Sequence, residues 1–413
     1  MIAVETRRTR IPRTTALSRD VAFWMLAATL GFVLFASSAP SPLYVVYQAR
    51  WHFSAITLTS VFAVYVVALL VSLVLAGSLS DRVGRRPVLL GALVVQASAM
   101  VLFGVAHDID VLFAARIVQG LATGVATGAL SAALIDLQPA HRPHLGALLS
   151  AAAPPLGLAA GALGSGLLVQ YGPDPLRLVY WLLVGVFALA IAGVLAMPET
   201  VEPHRAGWRH ALRPRIGVPQ EVRGTFAAVA PVLVATWALG GLYLSLGPSL
   251  AVALLHSSSH VIGGLVIVAL TATGAVTAVL VRDHQPEHVL IGGAGMLALG
   301  VGVTILGLNE GTTALFFAGS VLAGVGFGAG FSGAFKTVVS LAPASERAGL
   351  IAAVYVLAYL GFSLPAIAAG IAVTHAGLLP TTNVYGSVVA GLALVALALT
   401  TVRHRRAPVV PAA

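Results

Sequence analysis

Apolar stretches long enough to cross a bilayer follow one another along this chain, separated by short polar breaks. A spanning helix needs about 20 mostly apolar residues, and a helix satisfies its own backbone polar groups in hydrocarbon. Charged residues make up only 9% of the chain, which excludes a soluble globular protein. The pattern predicts an all-α membrane protein with twelve transmembrane helices. The predicted spans are 21–47, 57–79, 87–106, 111–136, 145–169, 178–197, 225–250, 261–280, 289–308, 312–342, 349–374 and 384–402.

The longest polar break is 198–224, and it predicts a cytoplasmic linker between two six-helix bundles. The bundles then cover 21–197 and 225–402, with cytoplasmic tails at 1–20 and 403–413. A shift of 204 residues aligns three positions of the first bundle with the second: Gly120 with Gly324, Gly124 with Gly328, and Pro139 with Pro343. A similar shift aligns Pro40 with Pro248. We therefore predict two parallel pseudo-repeats.

The basic residues are distributed unevenly between the two membrane sides. Of the 23 Lys and Arg residues, the breaks on one side contain only Arg50 and Arg177. The positive-inside rule places both termini in the cytoplasm and predicts a multi-pass protein of a bacterial inner (plasma) membrane. The positive charge lies in short clusters between spans rather than on one surface, so no nucleic-acid partner is expected. The arginine-rich start resembles a signal peptide, but the apolar run from Val21 is long enough to span, and we interpret it as the first helix.

The break between the second and third spans carries the most specific motif, GSLSDRVGRR at 77–86. It resembles the signature of the major facilitator superfamily, G-x-L-(A/S)-D-R-x-G-R-R, and the helix count and repeat resemble that family throughout. The resemblance implies alternating access around a central cavity. It also implies a conformational latch in this loop, in which Asp81 docks near the start of helix 11. The latch residues are Gly77, Asp81, Arg82, Gly84, Arg85 and Arg86.

The fourth span contains Arg116, Gln119 and Gly120, which resemble a second family motif, R-x-x-Q-G. An intramembrane guanidinium is costly and normally faces protein or water, which predicts a coupling or cavity role. The alternative is that Arg116 snorkels to the nearby membrane surface. Near the opposite end of the fourth and tenth spans lie Asp136 and Lys336. These two form an inner gate across the cavity, or each snorkels independently.

The resemblance also implies that helices 1, 4, 7 and 10 line the cavity. The candidate lining residues are polar or aromatic, and Tyr44 and Tyr47 fit an interfacial belt equally well. The candidates are Tyr44, Tyr47, Tyr65, Gln119, Thr123, Trp237, Tyr243, Tyr355 and Tyr359. Prolines predict helix breaks at Pro40, Pro42, Pro154, Pro155, Pro248 and Pro365. The pair Pro154-Pro155 partly resembles the helix-5 motif of drug–proton antiporters.

The interpretation is a secondary active transporter of small organic solutes, nearest to the 12-helix drug exporter type. We expect export of drug-like or amphipathic compounds, protons as the coupling ion, no cofactor or metal, and a monomer. The carboxylates lie at span ends, so the proton-carrying residue is not assigned. The alternatives are a nutrient or metabolite importer, a membrane-embedded enzyme and a non-transporting sensor. No enzyme motif such as H-E-x-x-H or a Walker loop occurs, and an enzyme is not expected.

Overall fold

The computed structural model describes residues 17–77, 79–201, 216–253, 259–343 and 345–406. Within these ranges all regular elements are helices. They form twelve stretches that are long and apolar enough to cross a membrane, which confirms the predicted fold class. Most of the predicted N-terminal tail, the centre of the linker and the end of the C-terminal tail lie outside the described residues, at 1–16, 202–215 and 407–413.

The first six spans are built from eight helices. Helices α1 and α2 together make one span, and α4 is a short helix in the loop that carries the GSLSDRVGRR motif. Ser18, Ser54 and Asp108 cap the starts of α1, α3 and α6 by accepting a backbone N–H bond. The helices are α1 Arg19–Ser38, α2 Pro40–Trp51, α3 Ala55–Ala76, α4 Leu79–Val83, α5 Arg85–Val105, α6 Ile109–Leu137, α7 Leu145–Tyr171 and α8 Leu178–Ala196.

The second six spans repeat this arrangement after a 3₁₀ turn at Gln220–Val222. They begin with a long helix and a short one, as the first bundle does. The helices are α9 Arg223–Ser245, α10 Gly247–Ala253, α11 His260–Leu280, α12 Pro286–Asn309, α13 Thr313–Ser340, α14 Arg347–Ala376 and α15 Leu378–Arg406.

The prolines act differently from one another. Pro40 and Pro42 begin α2, and Pro248 lies at the start of α10, so these three lie where one helix ends and the next begins. The predicted breaks at Pro154, Pro155 and Pro365 are wrong, because α7 and α14 continue through them. A membrane helix tolerates proline when neighbouring helices and local adjustments satisfy the freed backbone groups.

Twelve spans place the two described ends of the chain on one side of the membrane, here called the terminal side; the other is the far side. A cluster of buried apolar side chains joins the two bundles between the middle of the membrane and the far side. This interbundle cluster contains Phe62, Tyr65, Val66 and Leu69 of α3, Ala162 of α7, Leu244 of α9, Ile267 of α11 and Ala366 of α14.

The far-side halves of the first and seventh spans contain segments that are buried on every face. Between Val33 and Tyr44 every residue except Phe35 is buried, and between Ala238 and Pro248 every residue is. A helix segment that is buried all round is enclosed by protein. The central passage is therefore closed toward the far side.

Glycine contacts place the two bundles in the same internal register. Gly120 of α6 packs against the backbone of α3 near Tyr65, and Gly324 of α13 packs against the backbone of α11 near Ala269. Residues 65 and 269 are again 204 positions apart. The sequence repeat therefore corresponds to a repeated helix packing.

A continuous glycine seam joins α12 and α13. Each seam glycine faces a backbone nitrogen of the other helix, so close that an added Cβ would overlap it. Small residues let membrane helices approach in this way, and a seven-residue spacing keeps one helix face toward its partner. The seam glycines are Gly293, Gly300 and Gly307 on α12 and Gly319, Gly326 and Gly333 on α13.

We expect Gly300→Ala to destabilise the protein by about 1–3 kcal/mol, because the new Cβ forces two backbones apart. That Cβ would lie 2.6 Å from Ala323 Cα. Gly302→Ala is the matched control on the same helix, since no heavy atom lies within 4 Å of its added Cβ. Thermal unfolding of the purified protein in detergent measures both. Equal unfolding temperatures for the two variants would contradict the seam.

Candidate functional site

Arg116 lies on α6 in the interior of the first bundle and has no exposed surface. Its Nε donates to the Tyr44 hydroxyl at 2.7 Å, and its Nη2 donates to the same oxygen. Its Nη1 donates to Ser37 O at 3.0 Å and to Gln119 Oε1 at 2.6 Å. Aromatic rings surround the guanidinium, with the Tyr65 centroid 5.0 Å from Cζ.

These contacts rule out the snorkelling interpretation of Arg116, because its charged end points into protein. In the described part of the chain, no carboxylate lies within ion-pair distance of Arg116. A buried charge is costly unless it is hydrogen-bonded or paired. Neutral oxygens and ring faces therefore stabilise this cation.

The other predicted residues of this region support Arg116 rather than line an open cavity. Gln119 is fully buried and donates from Nε2 to Ala36 O at 2.8 Å. Thr123 is fully buried and bonds Gln96 Oε1 at 3.4 Å. Tyr65 is 5% exposed and belongs to the interbundle cluster. The buried Gln96, which belongs to no sequence motif, extends this polar region.

The predicted aromatic residues of the second bundle do come together. The Trp237 ring on α9 lies 4.7 Å from Tyr359 and 6.5 Å from Tyr355, both on α14, measured between ring centroids. All three are partly exposed. Along the helices they lie at mid-membrane and toward the terminal side.

Three phenylalanines complete this aromatic cluster and were missed from the sequence. Phe331 and Phe362 each lie 5.6 Å from Trp237, and Phe335 lies 6.2 Å from Tyr355. Phe331 and Phe335 are four residues apart and so share a face of α13. This four-residue spacing is the sequence pattern that indicates an aromatic face on α13. The aromatic cluster comprises Trp237, Phe331, Phe335, Tyr355, Tyr359 and Phe362.

Three other tyrosines were wrongly placed at the cavity. Tyr243 is 2% exposed in the core of the second bundle, where its hydroxyl lies 2.7 Å from Ser320 Oγ. Tyr47 is equally buried and bonds the Tyr180 hydroxyl at 3.2 Å, so it belongs to no interfacial belt. Tyr44 is the partner of Arg116. Ring burial and a hydroxyl partner together explain all three positions.

Arg85 is the centre of a charge network on the terminal side. Its side chain is 9% exposed, donates from Nε to Asp136 Oδ2 at 2.9 Å and also pairs with Asp81 through Nη1. It therefore ties the motif loop to the end of α6. A buried guanidinium with two carboxylate partners is a strong arrangement.

Glu199, just after α8, caps the start of α5. Its two carboxylate oxygens accept the backbone N–H groups of Arg85 and Arg86, each at 3.0 Å. The residue before α5 is Gly84, which has a φ of 108° and no side chain to act as a cap. A carboxylate at a helix start also compensates the helix dipole. The turn of the motif is at Gly84, whereas Gly77 keeps helical geometry at the end of α3.

Asp136 and Lys336, the alternative inner gate, do not pair with each other in this conformation. Asp136 is paired with Arg85, and Lys336 Nζ donates to Arg282 O at 2.6 Å. Asp136 and Lys336 therefore each contact a residue of their own bundle. Within the described ranges, no three His, Asp or Glu side chains gather as a metal site would require.

The family model of the Major Facilitator Superfamily matches residues 21–293, which is most of the chain. The chain belongs to the Major Facilitator Superfamily. This is a family of transporters and not of enzymes. An uncharacterized MFS-type transporter of Mycobacterium tuberculosis (strain ATCC 25618 / H37Rv) is 28% identical over 189 residues, covering 45% of this chain. The chain spans only 32% of that relative's length.

Two solved structures share the fold. The human organic anion transporter MFSD10 (TETRAN) has a TM-score of 0.66 at 15% identity, covering 93% of this chain and 100% of that one. A mutant of the nucleoside transporter NupG has a TM-score of 0.68 at 13% identity, covering 92% of this chain and 100% of that one. At these identities the likeness concerns the fold alone.

Replacing Tyr44 with Phe should destabilise this MFS protein by about 1.5–3 kcal/mol, because it removes the acceptor of two N–H groups of a buried cation. The matched control is Tyr47→Phe, which removes a hydroxyl that bonds only neutral groups, at 3.2 and 3.4 Å. We expect about 1 kcal/mol for the control. Chemical or thermal unfolding in detergent measures the difference, and a larger loss for Tyr47→Phe would contradict the assigned role of Tyr44.

Proposed function

We propose that this chain is a secondary active transporter that exports small amphipathic or drug-like compounds by alternating access. The aromatic cluster is the observation that supports this substrate class. Its six rings are partly exposed, carry no formal charge, and lie at mid-membrane on the terminal side of the interbundle cluster. Ligand sites for such compounds are mostly apolar and aromatic, with few polar groups. A sugar would need more amide and carboxylate partners than this surface offers.

The closed far side supports transport by alternating access. Phe62 of α3 and Phe362 of α14 lie 5.1 Å apart between ring centroids and connect the interbundle cluster to the aromatic cluster. A solute bound at Trp237 would therefore meet a closed barrier on the far side. In the opposite conformation the interbundle cluster would separate and the terminal side would close.

We propose protons as the coupling ion and the terminal-side carboxylates as their carriers. Arg116 is held by neutral oxygens in the interior of the first bundle, and we assign it a fixed positive charge rather than the role of carrier. Asp81 and Asp136 share Arg85, and protonation of either would weaken that network. The family resemblance assigns Asp81 a latch at the start of α14 when the terminal side is closed. In the present conformation Asp81 pairs with Arg85.

The distribution of basic residues supports a cytoplasmic terminal side in a bacterial inner membrane. Export would then load the substrate from the cytoplasm or the inner leaflet. The alternative is import of a nutrient or metabolite, for which the terminal side would serve as the release route. The direction of transport decides between the two.

Expression in efflux-deficient cells should lower the accumulation of fluorescent amphipathic compounds. Asp81→Asn, matched for membrane expression, should restore accumulation because it removes one negative charge from the Arg85 network and from the proposed latch. Collapse of the proton gradient should do the same. Increased accumulation with the wild type would instead support import, and no change across the panel would remove the support for drug export.

Trp237→Leu should reduce the export of planar aromatic compounds about two- to tenfold, because it removes the ring at the centre of the aromatic cluster. Trp24→Leu is the matched control, since Trp24 is 52% exposed on α1 and lies away from the cluster. Concentration-dependent efflux rates of both variants measure the effect. Equal losses in the two would argue against binding at the aromatic cluster.

A further inference from the structure

Gln170, at the far-side end of α7, connects the two bundles through one side-chain oxygen. Its Oε1 accepts the hydroxyl of Ser259 at 2.8 Å and the backbone N–H of Val261 at 3.2 Å. Gln170 belongs to the first bundle, and both donors belong to the second. This oxygen therefore forms hydrogen bonds between parts of the molecule that alternating access would separate.

The partner of Gln170 is the start of a helix. Ser259 is the residue before α11, and its extended backbone (φ −81°, ψ 118°) suits a capping residue, but its own side chain makes no cap bond. A capping serine normally accepts the N–H of the second or third helical residue. Val261 is the second residue of α11, and Gln170 accepts its N–H instead. Gln170 thus caps a helix of the opposite bundle.

One further hydrogen bond orients the amide, and close helix packing keeps its partner nearby. Its Nε2 donates to the Tyr171 hydroxyl at 3.3 Å, which leaves Oε1 directed at α11. The backbones of α7 and α11 are in close approach at this end: an added Cβ on Gly166 would lie 2.7 Å from His260 O, and one on Gly264 would lie 2.6 Å from Ala162 O. The cap therefore depends on α7 and α11 touching at the far side.

We propose that Gln170 is a far-side latch, which stabilises the far-side-closed conformation by capping α11 and is released when the far side opens. The proposal rests on the alternating access stated above, and not on the substrate or the direction. The Ser259 hydroxyl, once released from Gln170, is next to the same helix start and can cap it in the usual way. The latch therefore shifts the balance between conformations by a modest amount and does not lock it.

The natural absence of cysteine makes a distance measurement direct. Spin labels on Arg50→Cys and Glu310→Cys place one reporter on each bundle, at exposed far-side positions. Pulsed electron–electron double resonance then measures the distances between the two labels, and the populations of long and short distances give the ratio of far-side-open to far-side-closed molecules. Gln170→Leu should raise that ratio about two- to tenfold, because leucine cannot accept the N–H bond.

Gln170→Glu should lower the ratio of open to closed molecules, since a carboxylate keeps the acceptor and adds negative charge at a helix start. This second variant gives a shift of opposite sign, which general loss of structure would not produce. The matched control is Gln48→Leu, another far-side glutamine, whose Nε2 donates to Phe53 O within its own bundle. We expect no change in the ratio for the control.

Unchanged distances in both Gln170 variants, or an equal shift in Gln48→Leu, would overturn the latch. Efflux of the fluorescent compounds by the same variants separates this outcome from failure of the proposed function. Efflux with unchanged distances would leave the transport proposal intact and remove the latch. Shifted distances without any efflux by the wild type would keep the latch and remove drug export.

Discussion

Close contact between helix backbones is the interaction on which the rest of this structure depends. In a bilayer, helices gain little by burying apolar side chains against one another, because lipid is equally apolar. Dispersion contacts at short interhelical distances therefore stabilise the association of the helices. Glycines provide them where α6 meets α3 at Gly120, where α12 meets α13 along the glycine seam, and where α7 meets α11 at Gly166. The same contacts set the positions of the arginine site, the aromatic cluster and the interbundle cluster.

The two bundles share a helix plan but use it differently. At the repeat positions of the α12 seam glycines, α5 carries Leu89, Gln96 and Phe103, all of them buried. Gln96 bonds Thr123 of α6, and the Phe103 ring lies against the Arg116 guanidinium, so α5 contributes to the polar region of the first bundle. At the repeat position of Arg116 the second bundle carries the neutral Ser320, which bonds Tyr243, and its aromatic cluster lies on α9, α13 and α14. The first bundle therefore holds the fixed charge, and the second holds the apolar surface proposed for the substrate.

Helix ends are stabilised by side chains from neighbouring helices on both sides of the membrane. Glu199 caps α5 within the first bundle on the terminal side, and Gln170 caps α11 across the bundles on the far side. A cap within a bundle persists through a rigid-body movement, whereas a cap between bundles must break. The Glu199 cap and the contacts of Arg85 with Asp81 and Asp136 lie within the first bundle. The Gln170 cap lies between the bundles, so it is the contact that responds to the conformational change.

The sequence by itself determined the membrane class, the twelve spans, the repeat and the family, because bilayer thickness and the loop motif leave strong one-dimensional signals. It also indicated Arg116 and part of the aromatic cluster. It did not determine where side chains point, and there the predictions were wrong for Tyr243 and Tyr47. In an all-apolar span, hydropathy barely differs between faces, so only tertiary packing decides which face meets lipid, core or cavity. Tertiary structure alone also brought Gln170 to α11, because that contact joins residues of different bundles that no local pattern relates.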